Sequence, residues 1–459
     1  MAASFNRWAI VLLVFLCVPS VWAQRVGETS FCEDTGTCRV GEACVAGQCT
    51  QLSDNRIRRL FPLAIDRIVN LDAGSRRGPV VDRIRQLLRR YFAFSGYFTV
   101  VDADLNPPAS VVESLRLTTI DFQAWYDAGA YAFVKGNIKK SDDQWVLTLH
   151  LFIAEEGLHE PRSVDEQRFR IGDSRALKHT VVNWVDSVIT NFAGRGGALT
   201  QRIAFAHRIK RGGAKEIKVI DVDGESEHFI TQNGSINMLP AWTRDGRVAY
   251  SSFLLHNPDL YVEGKKLSAR PRMNTGASFH PNGKLLALTL SKDGNAEIYV
   301  ISAIDGSIRR RLTRERNIDT SPSWSPDGKH LAFVSDRDTG RPQIYIMNAN
   351  GAKVRRLPQV GRYNTSPDWS PSGDQIAYSS RVGGERYDIY VISVSTGVIQ
   401  RVTSKGSNEE AHYSADGRYM VFSSTRNGGP HLWIMNSNGG AKRQLTFGPG
   451  EHLTPSWQR

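Results

Sequence analysis

The sequence predicts an α/β N-terminal domain followed by a six-bladed all-β propeller, and three observations carry that reading. Between Ile203 and Arg459 one phrase recurs six times: an aromatic residue, a turn, a short apolar strand, a second strand reading roughly I-Y-V and a third ending in R-L-T. The leading aromatics, Trp242, Phe279, Trp324, Trp369, Tyr413 and Trp457, are spaced by 37, 45, 45, 44 and 44 residues. A period near forty with about four short strands per unit is the signature of a propeller. Finally, the repeat is out of phase at its ends. Ile203-Ala204-Phe205 has no aromatic strand before it, and Thr454-Pro455-Ser456-Trp457 has no apolar strand after it. Pairing these two ends completes one blade and removes two sheet edges that would otherwise invite aggregation. The sequence thus predicts a ring closed by a clasp at 454–457.

The turns have a local cause. In Trp324-Ser325-Pro326-Asp327-Gly328 proline presets the first turn position, Asp bonds its own backbone and Gly takes positive φ. Copies at 242–246, 279–283, 369–373 and 413–417 vary this theme. Turn chemistry explains the recurring Asp and Asn residues without a catalytic or metal role, and the aromatics are expected to be wedges between blades.

Residues 1–23 read as an export signal, with Arg7 as the positive end, a short apolar core from Ile10 to Val18, and Val21-Trp22-Ala23 as the cleavage site. The core is short for a membrane span, and no later segment is long and apolar enough to serve as one. Cys17 is expected to leave with the signal. Residues 24–55 form a cysteine-rich extension and linker. Its Cys32, Cys38, Cys44 and Cys49 are an even set in an exported chain, which predicts two disulfides with three possible connectivities. A four-thiolate zinc site is the competing reading, but it ordinarily uses C-x2-4-C pairs, which are absent. The segment 27–50 carries few large apolar residues, so cross-links must hold it.

The formal charge of +12, about +11 once Arg7 is removed with the signal, is dispersed. No Lys/Arg block with interleaved aromatics marks a nucleic-acid site, and export argues against one. A solubilising surface and attraction to anionic envelope material both fit the charge.

Residues 56–193 read as the α/β domain. Strands are predicted at 60–69, 98–101, 131–138 and 145–153. Val80, Val81, Ile84, Leu87, Leu88 and Tyr91 recur at three- and four-residue steps, which predicts an amphipathic helix over 78–93. Asp121 is placed to cap a helix through Trp125, and Ser174 to cap one carrying Leu177, Val181, Trp184, Val185 and Val188. Gly194, Gly196 and Gly197 form a hinge, and the propeller occupies 200–459. Chemistry is sparse. There is no G-x-S-x-G, no H-E-x-x-H and no P-loop. The eleven histidines are scattered, and one such as His150 in a strand is expected to be structural. No catalytic residue, metal site or cofactor is expected.

Phe61-Pro62-Leu63-Ala64-Ile65, Ser95-Gly96-Tyr97-Phe98, Phe122-Gln123-Ala124-Trp125 with Gly129-Ala130-Tyr131, the junction Thr200-Gln201-Arg202-Ile203-Ala204-Phe205 and the six repeats together resemble the TolB family of the Tol-Pal system. The resemblance covers about residues 58–459. It implies a monomeric, non-enzymatic periplasmic protein. Such a protein binds the peptidoglycan-associated lipoprotein Pal at the propeller mouth, communicates with TolA and other inner-membrane Tol proteins, and supports outer-membrane integrity and constriction during division. In the family the mature N-terminal stretch engages TolA; here the cysteine cluster occupies it. The second blade also departs, being short and lacking R-L-T. An exported propeller enzyme finds no nucleophile motif. An exported glycan- or peptidoglycan-binding module, favoured by aromatics and positive charge, is the alternative.

The partner is expected on the face bearing the loops that enter each aromatic strand and the loops between the next two strands. Asn237, Asn274, Thr275, Asn317, Thr320, Asn364, Thr365, Asn408, Glu409 and His452 are expected to expose polar groups there, although Asn and Thr also cap turns. Gly276 and Thr320 match family positions associated with Pal binding. A ring of cations, Arg208, Lys292, Arg337, Arg381 and Arg426, is expected on the same face. Arg381 is assigned to the partner, and Arg337 to an acid within the blades such as Asp336 or Asp338. The candidate partner-binding set is Asn274, Gly276, Thr320, Asn364, Thr365, Arg381 and Glu409.

Overall fold

The computed structural model describes residues 42–45, 48–51, 60–72, 78–101, 120–141, 144–154, 166–171, 174–193 and 197–459. The expected export signal at 1–23 lies outside them, as do Cys32 and Cys38. Glu42–Val45 and Gln48–Gln51 form a two-stranded antiparallel ladder in which Cys44 and Cys49 are directly opposed. Among the described residues no helix is long and apolar enough to cross a membrane. The described residues fall into two compact units, one up to 171 with 187–193, the other 174–186 with 197–459. The last helix is thereby divided between them.

The first unit is a five-stranded mixed sheet in the order Phe98–Val101, Phe61–Asn70, Ala132–Ser141, Gln144–Ile153, Glu166–Ile171. Phe61–Asn70 pairs in parallel with both neighbours, and the remaining pairs are antiparallel. Helix α1 (Pro79–Phe94) buries Val81, Ile84, Leu87, Leu88, Tyr91 and Phe92, the stripe its periodicity marks, with Pro79 at its first turn. Helix α2 (Phe122–Asp127) is capped by Asp121, whose carboxylate accepts from Ala124 N at 2.9 Å. Its Trp125 stacks on Phe133 at 4.7 Å. His150 lies flat on Phe152 at 5.7 Å, a packing role. The edge strand Glu166–Ile171 is not anticipated by the sequence reading. Glu166, Arg168 and Arg170 deny it an apolar run, and it is specified by backbone pairing. Helix α3 runs Ser174–Ala193.

The second unit contains six four-stranded antiparallel sheets. The strands of each blade are called a to d from the channel outward. Blade two spans Asn237–Ser268, blade three Asn274–Arg311, blade four Asp319–Arg356, blade five Asn364–Arg401 and blade six Asn408–Gln444. Blade one is built of Arg202–Arg208, Glu216–Asp221 and His228–Phe229, with Glu451–Trp457 as its a strand. The clasp thus extends over the predicted 454–457. The six a strands touch one another in a closed ring. Strands b and c are buried by neighbouring blades on both sides. They therefore read as continuous apolar runs rather than as alternation, as in Leu285–Leu290 and Glu297–Ser302.

The R-L-T phrase has a structural reason. The Thr hydroxyl accepts the first free N–H of strand c: Thr313 from Ile298 at 2.9 Å, Thr403 from Ile389 at 2.8 Å and Thr446 from Leu432 at 2.9 Å. Leu312, Val402 and Leu445 are buried, and two of the Arg residues pair with an acid of strand c, Arg311 with Glu297 at 3.1 Å and Arg401 with Asp388. Blade two, without the phrase, still forms its d strand, Lys265–Ser268, and pairs Lys266 with Asp259 at 3.1 Å. The turn Asp residues do turn chemistry: Asp327 accepts from Ser325 Oγ at 2.6 Å and from Lys329 N at 3.0 Å.

Candidate functional site

In an up-and-down blade the d-to-a and b-to-c loops share one face, and the a strands bring that face to the channel mouth. Each a strand carries the same irregularity. One residue, the third in blades two to six and the fourth in blade one, holds positive φ: Leu239 at 52°, Gly276 at 66°, Ser321 at 52°, Ser366 at 53°, Glu410 at 58° and Thr454 at 47°. The ladder to strand b slips at the same place in all six blades, which makes each a β-bulge. A bulge unpairs backbone groups from their own blade and offers them to the next. Glu410 N donates to Ser379 Oγ at 2.9 Å, and Thr454 N to Glu410 Oε2 at 2.7 Å. One turn further, Trp324 N donates to Ser278 Oγ at 3.2 Å, Trp369 N to Ser323 Oγ at 3.3 Å and Tyr413 N to Asp368 Oδ2 at 2.8 Å. The channel wall is therefore stitched from blade to blade. The sequence reading missed this ring. Its signal is the proline that follows the bulged residue in Leu239-Pro240, Ser321-Pro322, Ser366-Pro367 and Thr454-Pro455, since proline disfavours the right-handed helical region before it.

The residue that opens the a strand in blades two to six, and His452 in blade one, are not exposed, which corrects the expectation for Asn237, Asn274, Asn364, Asn408 and His452. The four Asn are 0% exposed and His452 2%. They face inward because the d-to-a loop must tie its free backbone groups to something. Asn274 accepts from Ser268 Oγ at 2.7 Å and Arg270 N at 3.0 Å, and donates to Arg270 O at 2.7 Å and Arg272 O at 3.0 Å. Asn364 donates to Gln343 Oε1 at 3.0 Å. Thr275 is also buried. Thr320, Thr365, Gly276 and Glu409 are partly exposed on the channel wall. The structure thus brings Gly276, Thr320, Thr365 and Glu409 to one mouth and places Asn274 and Asn364 behind it.

The expected cation ring is largely neutralised. Arg208 meets Glu451, with Nε to Oε2 at 2.7 Å; Lys292 meets Asp293 at 2.6 Å. Arg337 is held by Asp319 at 2.8 Å, an acid of its own blade other than Asp336 or Asp338. Arg381 pairs with Glu385 at 3.1 Å, with the carboxylate side chain 98% exposed, so that pair opens readily. Arg426 donates to Asn408 Oδ1 at 2.7 Å and Ser424 Oγ at 2.9 Å and lies over Trp433 at 4.6 Å.

Two carboxyls on the wall are perturbed. Burial, then the charge of Glu409, pushes Glu410 up to about 7. Burial also raises Glu409. His207, His452 and His431 pack ring on ring at 4.8 and 5.0 Å where the clasp meets blade six. Among the described residues no set of three or more His, Cys, Asp or Glu is arranged to hold a metal ion. What the mouth does offer is apolar. Ile236, Met273 and Ile318, each immediately before an a strand, are 39, 37 and 51% exposed, and Leu254 and Leu255 at the end of strand b of blade two are 43 and 57% exposed. An apolar arc on a rigid rim suits a protein partner.

Residues 189–387 and 366–459 match the TolB beta propeller domain family. The chain is 35% identical over 237 residues to Tol-Pal system protein TolB of Desulfosudis oleivorans, covering 50% of this chain and 52% of that one. It is 33% identical over 318 residues to the Protein TolB homolog of Chlorobaculum tepidum, covering 68% and 65%. The match thus spans about half the length of the first of these relatives. The crystal structure of TolB from Acinetobacter baumannii superposes with a TM-score of 0.72 at 25% identity, covering 87% of this chain and 96% of that one.

Proposed function

The chain belongs to the TolB β-propeller family, and from that premise we propose that it is a non-enzymatic, periplasmic protein-binding component of the Tol-Pal system. It takes Pal at the channel mouth and supports outer-membrane integrity and constriction during division. TolA and other inner-membrane Tol proteins are its further partners. The observation that carries this reading is the family match over the whole propeller, with the apolar arc of Ile236, Leu254, Leu255, Met273 and Ile318 as the feature suited to a protein surface. Thr320, Thr365, Gly276 and Glu409 line the contact, and Arg381 exchanges Glu385 for an acidic group of the partner. Asn274 and Asn364 support it from behind.

Capture of Pal against capture of purified peptidoglycan tests the reading. Thr320→Arg or Thr365→Arg should abolish Pal capture with an unchanged circular dichroism spectrum. Equal capture by both variants would overturn the mouth as the site. The second reading, a glycan-binding module, is favoured by Phe447, 71% exposed, and by the edge-on pair Tyr363–Tyr387 at 6.1 Å. Capture of peptidoglycan without Pal would select it.

A further inference from the structure

We propose a second binding site, on the propeller face opposite the mouth, in the seam between blades four and five. It is built for a short carboxylate-bearing peptide segment with an apolar side chain. The cavity there has a volume of about 550 Å³, within the range of small-ligand pockets. Its walls come from the a-to-b turn and strands c and d of blade four, and from Trp369, Ser372, Gly373 and Val394 of blade five. The a-to-b and c-to-d turns share the face away from the d-to-a loops, so this site and the Pal surface are separate.

At this seam the a-to-b turn of blade four meets the next blade with two short side chains, Ser325 and Pro326. From blade one to blade four a long side chain covers the next blade in each seam, whereas blade five repeats the short pair as Ser370 and Pro371. His280, directly after Phe279, packs edge-on against Trp324 at 4.6 Å, and its Nε2 lies 3.3 Å from Gly328 O. Arg244 lies against Gly283 and donates to Pro281 O at 3.3 Å. Arg202 lies over Trp242 at 5.1 Å. The residue equivalent to His280 in blade four is Ser325. Its hydroxyl is used by the turn, donating to Asp327 Oδ1 at 2.6 Å and accepting from His330 N at 2.9 Å. Nothing takes the place of the imidazole over Trp369. The Trp369 indole N–H has no partner, but neither has that of Trp324 or Trp457.

The lining chooses the ligand. Pro326, Ile346, Met347 and Val394 are apolar. Lys353 and Arg355 are exposed at the rim and form no ion pair among the described residues. Asp327 is the one acid of the lining, and it is committed to Ser325 and Lys329. Two cations against one engaged carboxylate leave the site net positive, so a carboxylate with an apolar body is its complement.

The test uses the full chain and two fluorescein-labelled peptides, Gly-Gly-Glu-Leu-Leu with a free C-terminus and Gly-Gly-Gln-Leu-Leu amide, followed by anisotropy. The acidic peptide should bind saturably, about tenfold tighter than the neutral one. Ser325→His, which copies the neighbouring seam, should abolish binding. The double variant K353E/R355E, confined to exposed side chains, should weaken binding of the acidic peptide by about tenfold or more whether or not the first variant folds. Pal capture should be unchanged in every folded variant, which separates this site from the mouth. No saturable binding to the wild-type chain, equal binding of the two peptides, or full binding by K353E/R355E would overturn the proposal.

Discussion

At the scale of single residues, equivalent positions in different blades act as internal controls. Arg337 and Arg426 occupy the same place. Each Nε donates to a serine two residues back at 2.9 Å, and each Nη2 reaches the first residue of its a strand, Asp319 at 2.8 Å or Asn408 at 2.7 Å. Asp319→Asn therefore converts blade four to the arrangement of blade six and should change stability by less than about 1.5 kcal/mol. Arg337→Ala leaves Asp319, 0% exposed, as a buried unpaired carboxylate and should cost about 3–5 kcal/mol. Urea unfolding distinguishes the two. Glu410 makes a pH prediction. Its folded carboxyl is raised to about 7 by burial and then by Glu409. The folded state therefore holds a proton that the unfolded chain has already released, and stability falls as pH rises from the ordinary carboxylate range through about 7. Glu410→Gln, which can still accept from Thr454 N, should raise the unfolding free energy by about 1–3 kcal/mol at about pH 8 and change it little at about pH 4. An equal effect at both pH values would contradict the assignment.

At the scale of elements, the a-strand bulge is the device that distinguishes this propeller wall from plain sheet. A left-handed residue costs a β-branched side chain more than glycine. At Gly276 an added Cβ would meet Thr289 Oγ1, Ser321 Cα and Pro322 Cδ at 3.7 to 3.9 Å, which is ordinary contact. Gly276→Val should therefore lose about 1–2 kcal/mol through backbone strain rather than collision, read as a lowered urea midpoint with an unchanged slope. The cysteine hairpin is a second element with a direct test. Cys44 and Cys49 are register partners in their ladder, the spacing a bridge between them needs. The exported protein is expected to weigh four hydrogens less than its reduced form, and a fragment map should place 44 with 49. Four alkylatable thiols in the native protein would refute both bridges.

At the scale of the whole molecule, ring closure is the cooperative contact. Glu451–Trp457 pairs with Arg202–Arg208, more than 240 residues away in sequence. Trp457 is 2% exposed and stacks on Tyr419 of blade six at 6.2 Å. Trp457→Ala should cost about 3–5 kcal/mol. Removal of 451–459 frees the edge of Arg202–Arg208 and should give oligomers on size-exclusion chromatography. A monomeric truncated chain with the native midpoint would show that closure is dispensable.

The sequence by itself determined the repeat, its turns and its closure. Trp, Pro-Asp-Gly and the I-Y-V runs are local signals, and the phase mismatch between Ile203 and Trp457 leaves one economical way to pair the ends. It also carried α1 and the positions of four strands of the first unit, because apolar periodicity survives without knowledge of neighbours. Only the tertiary structure decided which polar residues face the mouth. Asn274 and Thr320 look alike in a loop of the sequence, but one is buried under its own loop and the other lines the channel. The same holds for charge: Arg337 finds Asp319 and Arg381 finds Glu385, pairings that depend on strand register. The vacancy above Trp369 is visible only when blade four is set against blade five. Ser325-Pro326 and Ser370-Pro371 read alike in sequence; the space beside either pair depends on what the neighbouring blade sets against it.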